Sequence, residues 1–117
     1  MSLNEFQLAQ IKVLSKPYLQ NWRKEFVRPG GIVKDIDIEI KGQSVVIFER
    51  QESFIPGNED IIFPVAKTTY MKTENRWKIL WQRRDLKWHA YEPDMFVDDF
   101  EGFLKVVDED DCCAFWG

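Results

Sequence analysis

This sequence is poor in the residues from which metal and disulfide sites are usually built. It has one histidine and two cysteines, and the cysteines are adjacent, at Cys112 and Cys113. Adjacent cysteines seldom form a disulfide, because their Cα atoms lie too close together. A zinc site is not expected either, since zinc takes four ligands and its cysteines are usually spaced along the chain. Free thiols are typical of the cytosol, so we expect a cytoplasmic protein.

Several functional patterns are absent as well. No apolar run approaches the roughly 20 residues that cross a bilayer, and the N-terminus lacks the basic start and apolar stretch of a signal peptide. The chain has no glycine-rich phosphate loop, no nucleophile elbow and no Cys/His dyad at a familiar spacing. The acids at 108–111 lack the glycine and the terminal glutamate of a calcium loop. We therefore predict no catalytic residue, no metal, no cofactor and no membrane partner.

The residues that are present predict one folded domain over residues 1–117. Hydrophobic residues make up 44% of the chain and aromatic residues 15%, which is enough to build a core. Residues 67–89 carry seven cations against two acids, a net charge of +5, and residues 90–117 carry nine acids against one lysine, a net charge of −8. We expect the acidic segment to lie near the basic one, within the fold or across a dimer. This disfavours a nucleic-acid interface, which usually needs an uncompensated basic face.

An N-terminal helix is predicted first. Ser2 and Glu5 have the spacing of a capping box, and apolar residues then recur at helical intervals up to Trp22. Pro17 interrupts the pattern, because a proline inside a helix loses a hydrogen bond and clashes with the preceding turn, at a cost of roughly 3 kcal/mol. The helix therefore either kinks there, or ends near Leu14 and restarts with Ser15 as its cap.

Alternating and β-branched residues then predict four to five antiparallel strands. Turns are expected at 41–43, where Gly42 can take a positive φ, at 73–75 and at 84–86. Residues 52–64 contain two prolines and are predicted to form a long loop. The last two strands form an aromatic-lined hairpin that we expect at or near the sheet centre. The predicted strands are Ile32–Lys41, Ser44–Glu49, Val65–Tyr70, Trp77–Arg83 and Lys87–Tyr91.

A second helix is predicted near the C-terminus. Asp98 and Glu101 form an acidic capping pair, and an apolar stripe follows up to Val107. The helix should stop at about Val107, because the next four acids would oppose the negative end of its dipole. The last six residues are too apolar for a free tail and should pack back on the body. The order predicts an α+β fold: an N-terminal helix, the sheet, and a C-terminal helix packed on one sheet face.

One long motif carries a family resemblance. It includes Trp77, Trp81, Arg84-Asp85-Leu86-Lys87-Trp88-His89 and Tyr91-Glu92-Pro93, and later Phe103-Leu104, Val107–Asp110 and the terminal Phe115-Trp116-Gly117. From about Asn4 to Gly117 the chain resembles a domain-of-unknown-function family of small bacterial proteins, with members similar to those carried on mobile integron cassettes. The resemblance implies one compact bacterial cytoplasmic domain. It implies no activity, cofactor or catalytic residue, since none is established for the family.

The strongest candidate for a site lies within this motif, at Trp81, Arg84, Asp85, Trp88, His89 and Tyr91. A histidine near a carboxylate can act as a general base, and aromatic rings beside an arginine suit a planar or anionic ligand. The same residues can be structural, because aspartates are common in turns and aromatic pairs are common across strands. The structural interpretation is favoured over a ligand surface, and both are favoured over catalysis.

A second pattern lies on the first strand. Asp35, Asp37 and Glu39 alternate with isoleucines, and Lys41 follows. Strand acids followed by a lysine are typical of nucleases that hold magnesium through oxygen ligands. Any strand with one wet face has the same alternation, and Lys41 falls at a turn. A metal-dependent hydrolase is therefore the least favoured alternative.

Together these observations favour a small non-catalytic binding or protein-interaction module that acts as a homodimer. Its aromatic content exceeds what a core of this size requires, and aromatic residues and arginine dominate interface hot spots. Closed two-fold dimers are also the commonest oligomers. The main alternative is nucleic-acid binding through the basic residues 67–89. The candidates for exposed contact residues are Trp22, Trp81, Trp88 and Phe54.

Overall fold

The structure, a computed structural model, describes residues 2–116. Its strands form one antiparallel sheet in the order β1-β2-β3-β4-β5, and β6 pairs with the beginning of β4. The predicted α+β fold is confirmed. Neither helix in this part of the chain is long and apolar enough to cross a membrane. In chain order the elements are α1 (Glu5–Phe26), β1 (Val33–Lys41), β2 (Ser44–Gln51), β3 (Ile61–Met71), β4 (Arg76–Gln82), β5 (Trp88–Ala90), a short 3-10 helix (Glu92–Asp94), β6 (Phe96–Val97) and α2 (Phe100–Glu109).

Helix α1 is capped by a different residue from the one predicted. Asn4 Oδ1 accepts a hydrogen bond from Gln7 N–H at 2.8 Å, and Gln7 Oε1 accepts one from Asn4 N–H at 3.0 Å, so Asn4 and Gln7 form the capping box. The helix continues through Pro17, and the alternative in which it ends near Leu14 is wrong. Pro17 is exposed, and so is Val13, whose carbonyl loses its helical donor. That carbonyl therefore lies on the wet side of the helix, where water can replace the lost bond.

Several boundaries in the rest of the chain differ from the prediction, most of the strand ends by only one or two residues. β3 begins at Ile61 rather than Val65, so the loop before it is shorter. α2 is capped by Asp99, whose Oδ1 accepts a hydrogen bond from Gly102 N–H at 2.8 Å, rather than by Asp98. It runs to Glu109 rather than Val107. The aromatic hairpin is not central, because β5 is an edge strand and β3 is the middle one.

The core lies between the two helices and one face of the sheet. In one row across the sheet Val45, Thr68 and Ile79 are paired neighbours, and all three are fully buried. Thr68 is polar, but its hydroxyl donates to the carbonyl of Lys78 at 2.9 Å, so it leaves no unpaired group there. Phe103 on α2 belongs to the same buried cluster. One sheet face is therefore committed to the core, and the other is left for solvent or a partner.

Trp22 joins the two helices and the C-terminal segment. Its side chain is 1% exposed, its indole N–H donates to Asp108 Oδ1 at 2.9 Å, and its ring centroid lies 5.2 Å from that of Trp116. The prediction that Trp22 is an exposed contact residue is wrong, because the side of α1 that carries it packs against α2. The expected packing of the C-terminal residues is confirmed by Phe115, which is buried. Gly117, the last residue of the family motif, lies outside the described residues.

Candidate functional site

The predicted site residues lie in and around the loop that joins β4 to β5. The Arg83 carbonyl accepts a hydrogen bond from Leu86 N–H at 2.9 Å, and the Lys87 carbonyl accepts one from Arg83 N–H at 3.2 Å. Leu86 has a left-handed φ of +63°. The predicted turn at 84–86 is confirmed as a three-residue hairpin loop whose last residue is left-handed. Leucine is unusual there, because a residue with a Cβ pays roughly 1 kcal/mol for this backbone conformation.

Asp85 and His89 are in direct contact. His89 Nε2 lies 2.9 Å from Asp85 Oδ2, and Asp85 Oδ1 accepts a hydrogen bond from Lys87 N–H at 2.9 Å. The Lys87 amide and then the His89 ring lower the pKa of Asp85 from its ordinary value. The carboxylate thus holds the loop in shape, which is the role that the structural interpretation assigns to it.

The six predicted site residues do not all converge on one point. Trp81 lies opposite His89 on neighbouring strands, and both point to the face that packs against the helices. Trp88 is the next residue along β5 and therefore points to the opposite face. Arg84 is exposed at the loop, and Tyr91 is buried. The six residues are divided among a loop, a cleft and the far side of the sheet.

The cleft beside the hairpin loop has a volume of about 390 Å³. Its lining includes Trp81, Arg83, His89, Tyr91 and Cys112. The Arg83 guanidinium lies 5.5 Å from the centroid of the Trp81 ring, an arrangement suited to a small planar or anionic ligand. Burial, followed by a hydrogen bond with the Cys112 thiol, raises the pKa of Tyr91 to about 12, so its hydroxyl stays protonated. Sequence reasoning missed the cysteine, because no local signal shows that the C-terminal segment returns to β5.

The face of the sheet opposite the helices is a second candidate surface, here called the open face. Lys67 Nζ lies 5.7 Å from the centroid of the Trp88 ring, and the Arg76 guanidinium lies 3.8 Å from that of Phe96. Such cation–π contacts place positive charge directly beside aromatic rings. By strand register the open face of β3 to β6 includes Lys67, Thr69, Arg76, Lys78, Leu80, Trp88 and Phe96, all of them half-buried.

The basic segment keeps most of its charge unpaired. Five of its cations form no ion pair with another residue of 2–116, namely Lys67, Lys78, Arg83, Arg84 and Lys87. The acidic segment does approach the basic one at the cleft, which Glu92 also lines. The sequence suggested that the acidic segment neutralises the basic one, but none of these five side chains forms an ion pair within residues 2–116. The basic surface is therefore available to an anionic partner.

A third surface lies at the end of the β2–β3 hairpin. Phe54 is 85% exposed, which confirms it as an exposed aromatic residue. Ile61, Ile62 and Phe63 are consecutive in β3, so their side chains alternate and make both faces of this end apolar. Several large apolar side chains exposed at one end of a hairpin are typical of an interaction site. We call the exposed set the apolar arm: Phe54, Ile55, Ile61, Ile62 and Phe63.

The acids of β1 protect a sheet edge. Asp35 Oδ1 accepts a hydrogen bond from Ile36 N–H, and Asp37 Oδ1 accepts one from Ile38 N–H, both at 2.8 Å. Arg23 Nε donates to Asp35 and to the carbonyl of Ile36, both at 2.9 Å. These bonds occupy several of the outward groups that an added strand would need. No three potential metal ligands cluster anywhere in residues 2–116, so the hydrolase alternative gains no support here.

The family resemblance seen in the sequence corresponds to a described protein family. A family described as a domain of unknown function, DUF3024, matches residues 3–117. The chain therefore belongs to the DUF3024 family. The match spans nearly the whole chain, and it confirms the resemblance to a family of unknown function that the hairpin motif suggested. Membership in DUF3024 implies no activity, so a function can be inferred only from the surfaces of the structure. No curated protein and no solved structure matches this chain.

Proposed function

We propose that this protein is a small non-catalytic interaction module that acts as a homodimer through its apolar arm. The observation that carries the proposal is the exposure of five large apolar side chains at one end of a paired hairpin. A monomer that kept this surface in water would lose the free energy of burying it, which is about 1.5–3 kcal/mol for each fully buried large side chain. When two arms associate, the apolar side chains of both copies are buried, so this free energy is gained once for each copy.

The charges around the arm favour a second copy of the same chain. Lys34 Nζ lies 3.5 Å from Glu52 Oε2, and Arg50 Nε lies 3.5 Å from Asp60 Oδ2. The rim therefore presents both signs in neighbouring pairs. A two-fold axis brings each patch against an identical patch, and a rim of mixed charge can meet itself without like-charge repulsion.

Dimerisation by strand addition at β1 is disfavoured, which leaves the arm as the better contact. The outward amides of Ile36 and Ile38 already bond to aspartate side chains. A second copy would have to break these bonds before it could pair with β1. The arm needs no such rearrangement, because its contact is made by side chains.

Sedimentation velocity over a range of protein concentrations tests the dimer. We expect Phe54→Ser to weaken association at least about 100-fold, because a two-fold interface loses the ring twice. Phe6→Ser is the matched control: Phe6 is 75% exposed but lies on the first turn of α1, outside the arm. A wild-type chain that remains monomeric at the highest concentration, or a control variant that dissociates as readily as Phe54→Ser, contradicts the proposal.

Nucleic-acid binding through residues 67–89 is the second candidate function. It is favoured by one specific observation, the five cations of this segment that form no ion pair within the described residues. Binding of this kind releases counterions and must weaken steeply as salt rises. Binding that is indifferent to salt, or absent for every nucleic acid tested, argues against it.

We also infer a bacterial, cytoplasmic protein of integron cassette origin. The support is the motif resemblance described above, together with two free cysteines that are both exposed, as suits a reducing compartment. Fractionation of the host, followed by labelling of accessible thiols in each fraction, tests the location. Recovery of the protein from the envelope or the medium with its thiols oxidised contradicts it.

A further inference from the structure

The open face combines three properties that seldom occur together on a sheet. It is not covered by either helix, it carries aromatic rings, and it carries lysines without an acidic partner. Lys67 on β3 is paired with Leu80, and Lys78 on β4 is paired with Phe96 on β6. These residues share one face, with Trp88 on the neighbouring β5. The open face of β3 to β6 is therefore a platform of rings and cations.

The positive charge of this platform determines which kind of molecule it can bind. Lys67 and Lys78 form no ion pair within the described residues, and Arg76, which is paired with Glu74 at 2.7 Å, adds a third cation. A second copy docked face to face would oppose lysines to lysines, which costs free energy. An anionic partner removes that cost. The open face is therefore suited to a negatively charged molecule rather than to self-association.

The aromatic rings indicate which class of negatively charged molecule fits this face. Trp88 is paired with Gln82 and Phe96 with Lys78, four residues apart on β4, so the two rings are about 13 Å apart along the strand. Cations lie 5.7 Å and 3.8 Å from their centroids. Bases stack on aromatic rings and on guanidinium planes when they are unpaired, whereas the bases of a duplex are already stacked on each other.

We propose that the open face binds single-stranded nucleic acid, with bases stacked at Trp88 and at the Arg76–Phe96 pair and with phosphates held by Lys67 and Lys78. The inference rests on the second candidate function, nucleic-acid binding, and adds the surface and the strandedness. Contacts of these two lysines and of the Arg76 guanidinium to about three phosphates predict a slope of about −2 for the logarithm of affinity against the logarithm of salt concentration. Affinity should then fall roughly 18-fold between about 50 mM and about 200 mM salt.

Fluorescence anisotropy with a labelled oligonucleotide of about 12 nucleotides tests this, since single-strand-binding domains cover sites of that order. We expect the single strand to bind at least about tenfold more tightly than a duplex of the same length. Trp88→Ala should weaken single-strand binding by at least about fivefold, and Trp88→Phe should restore much of the loss. Lys67→Ala with Lys78→Ala should weaken binding and flatten the salt slope by about 1 to 2.

The matched control is Lys12→Ala with Lys16→Ala, which removes two exposed lysines from α1 in the helix layer. It should leave binding unchanged, and circular dichroism should show that each variant is folded. If nucleic acid binds with a salt dependence but the open-face variants match wild type, this inference fails while nucleic-acid binding stands. If a duplex binds as well as a single strand, the stacking argument fails. If no nucleic acid binds, both proposals fall.

Discussion

The replacement of Trp22 by phenylalanine is the sharpest test of how this fold is held together. The indole N–H donates to Asp108 Oδ1 at 2.9 Å, and the ring also packs against Tyr18, with the two centroids 5.7 Å apart. Asp108 is exposed, so water can solvate its carboxylate when the indole is removed. The lost hydrogen bond should therefore cost about 1 kcal/mol, as for a neutral pair and below the usual range for a charged acceptor.

Burial adds a second contribution to that cost. Phenylalanine leaves part of the fully buried Trp22 space unfilled, and the surrounding helices can relax only in part. Loss of transfer free energy together with a residual cavity should cost roughly 1–2 kcal/mol. The total predicted loss in the free energy of unfolding is about 2–3 kcal/mol. Phe54→Ser should change it by less than about 0.5 kcal/mol in the monomer, because that ring is exposed.

Urea unfolding followed by far-ultraviolet circular dichroism measures both variants without relying on tryptophan fluorescence. It should be run at a protein concentration at which wild type is monomeric, so that association does not contribute. A double-mutant cycle with Asp108→Ala then isolates the hydrogen bond and should give a coupling of about 1 kcal/mol. A loss below about 0.5 kcal/mol for Trp22→Phe, or a cycle with no coupling, would mean that the Trp22–Asp108 bond does not stabilise the fold.

Further predictions concern the loop and the C-terminal segment. Leu86→Gly should raise the free energy of unfolding by about 0.5 kcal/mol, because relief of left-handed strain exceeds the added freedom of the unfolded chain; a loss in urea unfolding would contradict it. Asp85 should titrate below its ordinary value of 3.8 in an NMR titration, so its stabilising effect is present above that pH and is lost as pH falls through the lower folded pKa. His89→Ala should raise the pKa of Asp85 only part of the way, since the larger cause, the amide bond, remains. Asp110→Ala should lower the free energy of unfolding by about 1–3 kcal/mol in urea unfolding. It should also speed hydrogen exchange at the amides of Phe115 and Trp116, which donate hydrogen bonds to this carboxylate.

The fold class could be predicted because its signals are local. Alternation along β1 and the glycine turn at Gly42, whose φ is +58°, gave the first hairpin correctly. The boundary of β3 was missed because Pro64 suggested a loop. That proline lies at an irregularity in the pairing with Phe48, where a residue without an N–H is tolerated. β6, two residues long, is formed by tertiary contact and has no pattern of its own.

The candidate site was only partly predictable, for a different reason. The Asp85–His89 pair is separated by four residues in one hairpin, so spacing alone placed the two side chains together. Cys112 reaches Tyr91 through the return of the C-terminal segment, which depends on Asp110 and on burial of Phe115. Such long-range contacts leave no periodic signal. The burial of Trp22 was missed for the same reason, since that side of α1 becomes buried only when α2 packs against it.

The apolar arm and the open face can be used at the same time, which links the two proposals. Lys67 lies four residues beyond Phe63 on β3, about 13 Å along the strand, so a contact at the arm leaves the platform exposed. A dimer through the arm then carries two platforms in one particle. On a strand long enough to reach both, the second platform binds intramolecularly and raises the overall affinity by avidity. Phe54→Ser should therefore weaken binding to a long single strand while leaving the affinity for one of about 12 nucleotides unchanged. An equal loss for both lengths would mean that Phe54 contacts the nucleic acid itself, and the separation of the two surfaces would be wrong.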